Sequence, residues 1–236
     1  MRGSVLVMAK APVPGEAKTR LAPVVGMHGA AELAAASLLD TLTAAALAYP
    51  VGRRVLALTG DLARAARAEE IRAVLEGWLV VQQGGQSFGA RLSDGHRQAH
   101  RLAGGPVVQI GMDTPQVSAS LLRHLGDLAH TANRPVLGPA ADGGWWVLVT
   151  THASQAGVLT GVPMSRPDTG RLTAAALRAA GSEPVEAGLM RDVDDADDAA
   201  VVATQAPHTA FARQWRRATA RAEGAQRAPG EAEDSP

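Results

Sequence analysis

The sequence predicts an α/β protein: a three-layer α/β/α sandwich built on a mostly parallel central sheet. Three observations lead there. Short apolar runs alternate with longer stretches of helical periodicity, the pattern of strands covered on both faces by helices. The chain has 236 residues, enough for one domain with a full core. Hydrophobic residues make up 46% and charged residues 19%, an ordinary globular balance.

The elements follow in order. Residues 4–9 read as a buried strand. Residues 29–49 read as a helix, with Leu39, Leu42 and Ala46 at i, i+3, i+7. A strand over 54–59, a helix over 62–75 closed by Gly77, and a strand over 79–82 come next. A helix over 88–102 ends at Gly104-Gly105, and 106–111 is a strand. Residues 118–132 form a helix with Leu121, Leu122, Leu125 and Leu128 on one face. Strands are expected over 135–137 and 145–149, a helix over 169–180, and another helix after Asp195. One domain over 1–220 is expected, followed over 221–236 by a disordered tail rich in Ala, Gly, Glu and Pro.

Composition excludes several kinds of chemistry. There is no cysteine, so disulfides, thiolate metal sites and cysteine nucleophiles are ruled out. Lysines plus arginines equal aspartates plus glutamates, giving a net charge of zero. No broad nucleic-acid footprint follows, and anion binding must come from a local cluster. No apolar run reads as long enough to span a bilayer. The N-terminal apolar run continues into Lys10 rather than a cleavage site, so it is expected to be a core strand and the protein cytoplasmic.

In parallel sheets ligands bind outside the carboxyl ends of the strands, so the loops there hold the candidate residues. The first reads Ala11-Pro12-Val13-Pro14-Gly15-Glu16-Ala17-Lys18-Thr19-Arg20-Leu21. Lys10, Lys18 and Arg20 supply cations, Pro12 and Pro14 stiffen the loop, and Gly15 permits a tight turn. Such a loop suits a phosphate chain; a solvated basic loop is the alternative. It is not a P-loop, because Ala17 stands where glycine must precede the lysine. The second candidate is Asp113, just past a strand in Gly111-Met112-Asp113-Thr114-Pro115. A carboxylate there can anchor a hard divalent cation, and capping the next turn is its commoner job.

Asp142, Gly143, Gly144 and Trp145 form a third candidate, an acceptor wall or else a hairpin turn. Arg191-Asp192-Val193-Asp194-Asp195-Ala196-Asp197-Asp198 could supply further metal ligands or open a helix. Gln83, with Gly84, Gly85 and Gly89 in the same loop, offers an amide that could read a base edge, against a plain surface loop. His96 and His100 lie at i, i+4 and could share a metal, though no third ligand accompanies them.

These motifs resemble, in order and approximate spacing from residue 4 to about 200, a largely uncharacterised bacterial family of GT-A-fold (Rossmann-like) transferases in the nucleotide-diphospho-sugar transferase superfamily. Its Ala-Pro-Val-Pro-Gly-x-x-Lys-Thr-Arg-Leu loop matches residues 11–21, and its Gln-Gly-Gly, Asp-Gly-Gly-Tyr and Arg-Asp-Val-Asp motifs match stretches beginning at Gln83, Asp142 and Arg191. More distantly the chain is similar to the molybdenum cofactor and phospholactate guanylyltransferases. The resemblance implies that Lys18 and Arg20 bind phosphates. It implies that Asp113 holds Mg2+ (or Mn2+) and that Asp192 or Asp194 completes the metal site. The sequence departs at Trp145, where the family has tyrosine, at Asp195-Ala196-Asp197 in place of Thr-Pro-Glu, and at Met164 in place of tryptophan. The loop Ser165-Arg166-Pro167-Asp168 after it is a candidate substrate-facing segment.

The expected activity is nucleotidyl transfer from a nucleoside triphosphate, with Lys18 and Asp113 as the catalytic pair. Glycosyl transfer from a nucleotide-sugar and non-catalytic nucleotide binding are the rival readings. The expected partners are a nucleotide and a small-molecule acceptor, with no nucleic acid and no membrane, and a homodimer as a possible assembly.

Overall fold

The computed structural model describes residues 3–227. Seven strands form one sheet: β1 (Ser4–Lys10), β2 (Arg54–Thr59), β3 (Leu79–Gln82), β4 (Val107–Gly111), β5 (Val136–Pro139), β6 (Trp145–Thr150) and β7 (Val185–Glu186). Their spatial order is β3-β2-β1-β4-β6-β5-β7. β1 pairs in parallel with β2 and β4, β2 with β3, and β5 with β7, while β6 runs antiparallel between β4 and β5. The sheet is therefore mostly parallel, as the alternation of elements predicts. Strand β1 is near its middle, and Val5, Leu6 and Val7 are wholly buried. A continuous apolar run, not an alternating one, is what a strand covered on both faces requires.

The helices are α1 (Ala22–Ala48), α2 (Ala68–Val74), α3 (Phe88–Ala103), α4 (Ala119–Ala132), α5 (Thr169–Ala179), α6 (Ala196–Gln205) and α7 (Ala210–Arg227). On one face of the sheet, Leu38 and Leu42 of α1 and Leu122 and Leu125 of α4 pack on Val5, Val7 and Val108. On the other, Leu92 of α3, Leu159 of the 3-10 segment Ala153–Gly161 and Leu177 of α5 pack on Leu6, Met8 and Leu148. The back of α1, including Leu33 and Ala36, is covered in turn by Val202 of α6 and Phe211 of α7. With sheet on one side and helices on the other, α1 needs small side chains nearly all round, which accounts for its alanines. Asp40 fixes this outer layer: its carboxylate accepts the backbone N–H groups of Ala210 (2.9 Å) and Phe211 (2.8 Å) at the start of α7.

Several boundaries differ from expectation. Helix α1 starts at Ala22, with a kink at Gly26 (φ 74°) that the periodicity from residue 29 onward did not extend across. The helix expected over 62–75 splits into a short 3-10 turn, Leu62–Arg64, and α2, because Arg67 takes a left-handed conformation between them. The 3-10 segment Ala153–Gly161, strand β7 and helix α7 were not foreseen. The disordered tail expected over 221–236 is helical through Arg227, where α7 ends; residues 228–236 lie outside the described residues. The span Thr19–Ala48 is long and apolar enough to cross a membrane by length and composition, which corrects the expectation that no run is. Its apolar side chains face the sheet and α6–α7, and 67% of its most apolar window is buried.

His96 and His100 do not form a metal site. They point from α3 at one hydroxyl of β6: Thr150 Oγ1 is 3.0 Å from His96 Nδ1 and 2.8 Å from His100 Nε2. Gln109 of β4 lies near the His96 ring without a hydrogen bond of good geometry. Burial, and then the neighbouring His100, push His96 down to about 3, and burial with His152 pushes His100 down to about 4. Both rings are thus folded in their neutral form, and the unfolded chain takes up protons first as pH falls below the ordinary 6.5. Their contribution to stability is present above that pH and is lost as it falls. For His96, protonation linkage puts the loss near 2 kcal/mol by about pH 5. Replacing His96 with asparagine should therefore flatten the acid limb of the melting temperature against pH; an unchanged acid limb would show that the imidazole does not control it.

Candidate active site

The carboxyl ends of β1, β2, β3 and β4 and the start of β6 open into one cleft of about 940 Å³. Its lining includes Lys10, Lys18, Arg20, Gln83, Asp113, Asp142, Gly144, Trp145, Asp192 and Asp194. Residues that are as much as 184 positions apart in sequence meet here because parallel strands deliver all their following loops to one edge of the sheet.

The first loop leaves β1 and turns at residues 14–16, where Gly15 adopts φ 78°. Ala17 N–H donates to Val13 O (3.1 Å), closing that turn. Lys18 follows in the left-handed conformation (φ 48°), uncommon for a residue with a Cβ. The conformation turns the chain into the 3-10 segment Thr19–Leu21 and α1, and carries the lysine amine inward. Lys18 Nζ lies 3.3 Å from Asp113 Oδ2 and 3.2 Å from Asp194 Oδ1, and also donates to Val193 O. Burial opposes its charge, but Asp113 and Asp194 outweigh that and hold its pKa above the ordinary lysine value. Arg20 reaches Asp194 at 3.6 Å from an exposed position. Lys10 Nζ donates to Glu16 O (2.8 Å) at the loop's outer edge.

Asp113 sits directly past β4, and its carbonyl accepts Val193 N–H (2.9 Å). That bond draws the segment carrying Asp192 and Asp194 across to the end of β4. Carboxylate oxygens of Asp113, Asp192 and Asp194 all lie within 4.8 Å of one another, a set that could hold a metal ion. The donor set fits a hard divalent cation. Lys18 does not fully offset it: Asp192 is pushed up to about 7 by burial and by the charges of Asp113, Asp142 and Asp194. Asp195 has a different task. It caps α6 by accepting the N–H groups of Asp197 and Asp198, both at 3.0 Å. The acidic run thus serves both purposes, ion-facing carboxylates first and helix capping after.

The structure brings some predicted residues to the cleft and not others. Gln83 lines it, but its Nε2 donates to Ala9 O (2.8 Å) and Ala57 O (2.9 Å), which leaves only the amide oxygen for a ligand. Pro14, Gly15, Gly84, Gly85, Gly89 and Gly143 do not line it. Gly84 N–H donates to Asp94, and Gly85 packs on the first turn of α3. Gly89 is a packing glycine: a Cβ there would collide with the carbonyl of Leu159, so α3 could not seat against Ala153–Gly161. Gly143 likewise lies against the Pro167 carbonyl, fixing the β5–β6 turn to the loop before α5. That turn is closed by Asp142 Oδ1, which accepts Gly144 N–H (2.7 Å). Sequence reasoning missed Thr59, Phe88 and Arg91 in the lining. The available signal was spacing: Phe88, Arg91 and Leu92 fall at i, i+3, i+4 of a helix starting at a strand's carboxyl end.

A seven-stranded mostly parallel sheet between helical layers is the fold of nucleotide-diphospho-sugar transferase-like structures. The chain belongs to the family described as "Uncharacterized protein conserved in bacteria (DUF2064)", whose model matches residues 41–166. That stretch holds Asp113 and the Asp142–Trp145 turn. It does not reach the basic loop or Asp192 and Asp194. No curated protein matches the chain. Among solved structures, it is similar to a candidate nucleotide-diphospho-sugar transferase from Desulfovibrio desulfuricans G20, at 23% identity and TM-score 0.79, over 94% of this chain and 97% of that one. It is also similar to a cytidylyltransferase from Leptospira borgpetersenii serovar Hardjo-bovis, at 12% identity and TM-score 0.53, over 96% and 95%. A third likeness is to 4-diphosphocytidyl-2C-methyl-D-erythritol synthase from Anaerococcus prevotii, at 11% identity and TM-score 0.51, over 87% and 97%. At these identities what is shared is the fold.

The crowding of carboxylates has a measurable consequence. Asp192 ionises with more difficulty in the folded chain than in the unfolded one, where its pKa is the ordinary 3.8. Its unfavourable contribution is absent below that value, grows as pH rises, and is complete above about 7. Asp192→Asn should therefore raise the melting temperature at pH 8 and change it little at pH 4. An equal change at both values would mean that charge is not the cause.

Proposed function

We propose that the chain is a metal-dependent nucleotidyltransferase, moving a nucleotidyl group from a nucleoside triphosphate to a small acceptor with release of pyrophosphate. The observation that carries this is the meeting of Asp113, Asp192 and Asp194 with Lys18 at the head of a basic loop, in a cleft roomy enough for a nucleotide and a second molecule. A loop with Lys10, Lys18 and Arg20 suits a triphosphate better than the diphosphate of a nucleotide-sugar. The shared fold with a cytidylyltransferase supports the reading.

In this reading the three aspartates hold Mg2+ or Mn2+, which when bound neutralises phosphate oxygens. Lys18 takes the negative charge of the phosphates, exchanging its carboxylate partners for phosphate oxygens, while Lys10 and Arg20 hold the chain's outer end. An acceptor oxygen placed on the Asp142–Trp145 side attacks the α-phosphorus. The new P–O bond forms as the bond from the α-phosphorus to the α–β bridging oxygen breaks, pyrophosphate leaves with the bonding pair, and the proton of a hydroxyl acceptor passes to water. Positioning and charge neutralisation supply the rate. The Desulfovibrio neighbour's description favours a second reading, glycosyl transfer from a nucleotide-sugar, in which a nucleoside diphosphate leaves instead.

A thermal-shift panel of nucleoside triphosphates and nucleotide-sugars, each with and without Mg2+, separates these. One triphosphate with Mg2+ should stabilise the protein, by about 2.7 kcal/mol at a hundredfold excess over its Kd. Asp113→Ala should abolish that shift, and turnover with an acceptor should release pyrophosphate. If no triphosphate shifts the melting curve, nucleotidyl transfer is refuted; release of a nucleoside diphosphate would establish the glycosyl reading.

A further inference from the structure

We propose that the cleft wall contributed by the second helical layer is a subsite for an anionic oxygen group, a phosphate or a carboxylate, with Arg91 as its anchor. The basic loop leads into α1, on one face of the sheet; Arg91 lies on the first turn of α3, on the other face. Both line the same cleft, so the two faces present separate cationic surfaces to it.

Arg91 differs from the cations of the basic loop in having nothing to hold. Lys10, Lys18 and Arg20 each contact a protein oxygen. The Arg91 guanidinium has no hydrogen bond or ion pair among the described residues, and its Nε is fully buried without a partner. Its neighbour is the ring of Phe88, 5.8 Å from the guanidinium carbon, and Leu92, Trp145 and Met164 line the same cleft. A buried N–H without an acceptor costs about 1–3 kcal/mol, and more when the group is charged. At a cleft wall, such a donor is open to a partner from outside the chain.

Charge identifies the missing group. Arg166 also lines the cleft, and it is already paired with Asp168 at 3.0 Å. Arg91 is therefore the one guanidinium of the lining left without a carboxylate among the described residues. The cleft carboxylate Asp142 belongs electrostatically with the aspartate cluster, being one of the charges that raise Asp192. A neutral hydroxyl would satisfy Nε but leave the charge; a phosphate or carboxylate matches the planar fork of donors as well. Apolar surroundings strengthen that pairing by lowering the local dielectric. Assigning the anion to the second substrate rests on the nucleotidyl-transfer reading, but the subsite itself does not.

Calorimetric titration with glycerol 3-phosphate, glycerate and glycerol tests this on wild type, Arg91→Met and Arg91→Lys. At least one of the two anions should bind wild type, and which one does distinguishes phosphate from carboxylate; glycerol should not bind detectably. Arg91→Met should weaken that binding at least tenfold and Arg91→Lys less. The melting temperature of Arg91→Met should not fall, since an unpartnered donor is removed; a fall would assign Arg91 a packing role against Phe88. Failure of both anions to bind wild type, equal binding by Arg91→Met, or loss of triphosphate rather than anion binding in Arg91→Met would each overturn the proposal. Anion binding that depends on Arg91 in a protein that takes no triphosphate would sustain the subsite and refute the transfer reading alone.

Discussion

The site depends on one buried ammonium group. Lys18 Nζ sits between Asp113 and Asp194 and donates to the Val193 carbonyl, while Val193 N–H closes the arrangement on Asp113 O. Three stretches far apart in sequence are joined there: the loop after β1, the end of β4 and the segment before α6. A pair of unit charges about 4 Å apart is worth about 4 kcal/mol near a protein surface. Desolvation consumes much of that when the pair is buried. The lysine is accordingly better understood as a positioning device than as a source of stability. Without it, the carboxylates of Asp113 and Asp194 would face each other with no cation between them.

Under the proposed function the same geometry would make this end of the cleft exchangeable. Lys18 is held by groups that a divalent ion would also engage, so the lysine and an ion would compete for the same oxygens. An anion arriving with the ion would offer the lysine a new partner as its old ones are taken. The chain's charges would thereby stay compensated in both states. The helical layer on the other face behaves differently. Its cation, Arg91, has no internal partner to release, so ligand binding there meets no competition from the protein.

The sheet was legible in the sequence because its signal is local. Buried runs such as Val5-Leu6-Val7 and Val147-Leu148-Val149 carry their own burial in their composition. Asp113, Lys18 and the acidic run were legible for a related reason: each stands at a strand's end or a helix's start, positions that sequence marks directly. Gly26 and Arg67 were not, since a single residue's dihedral angle breaks a helix without disturbing the apolar period around it. The glycines at 89 and 143 were placed in candidate ligand-facing loops, yet they serve close packing between elements distant in sequence, and only tertiary structure reveals the neighbour. His96 and His100 illustrate the same limit, because the Thr150 hydroxyl they share comes from another strand.

Strand β6 runs against all its neighbours, so it meets the cleft at its beginning rather than its end. The wall bearing Asp142, Gly144 and Trp145 is therefore a hairpin tip, joined to the sheet by both its legs. The tip is also tied to chain outside the sheet: Gly143 lies against the Pro167 carbonyl, and its own carbonyl accepts the Gly170 N–H (2.9 Å). The turn and the segment leading into α5 are thus one mechanical unit, so a change in either reshapes the same side of the cleft.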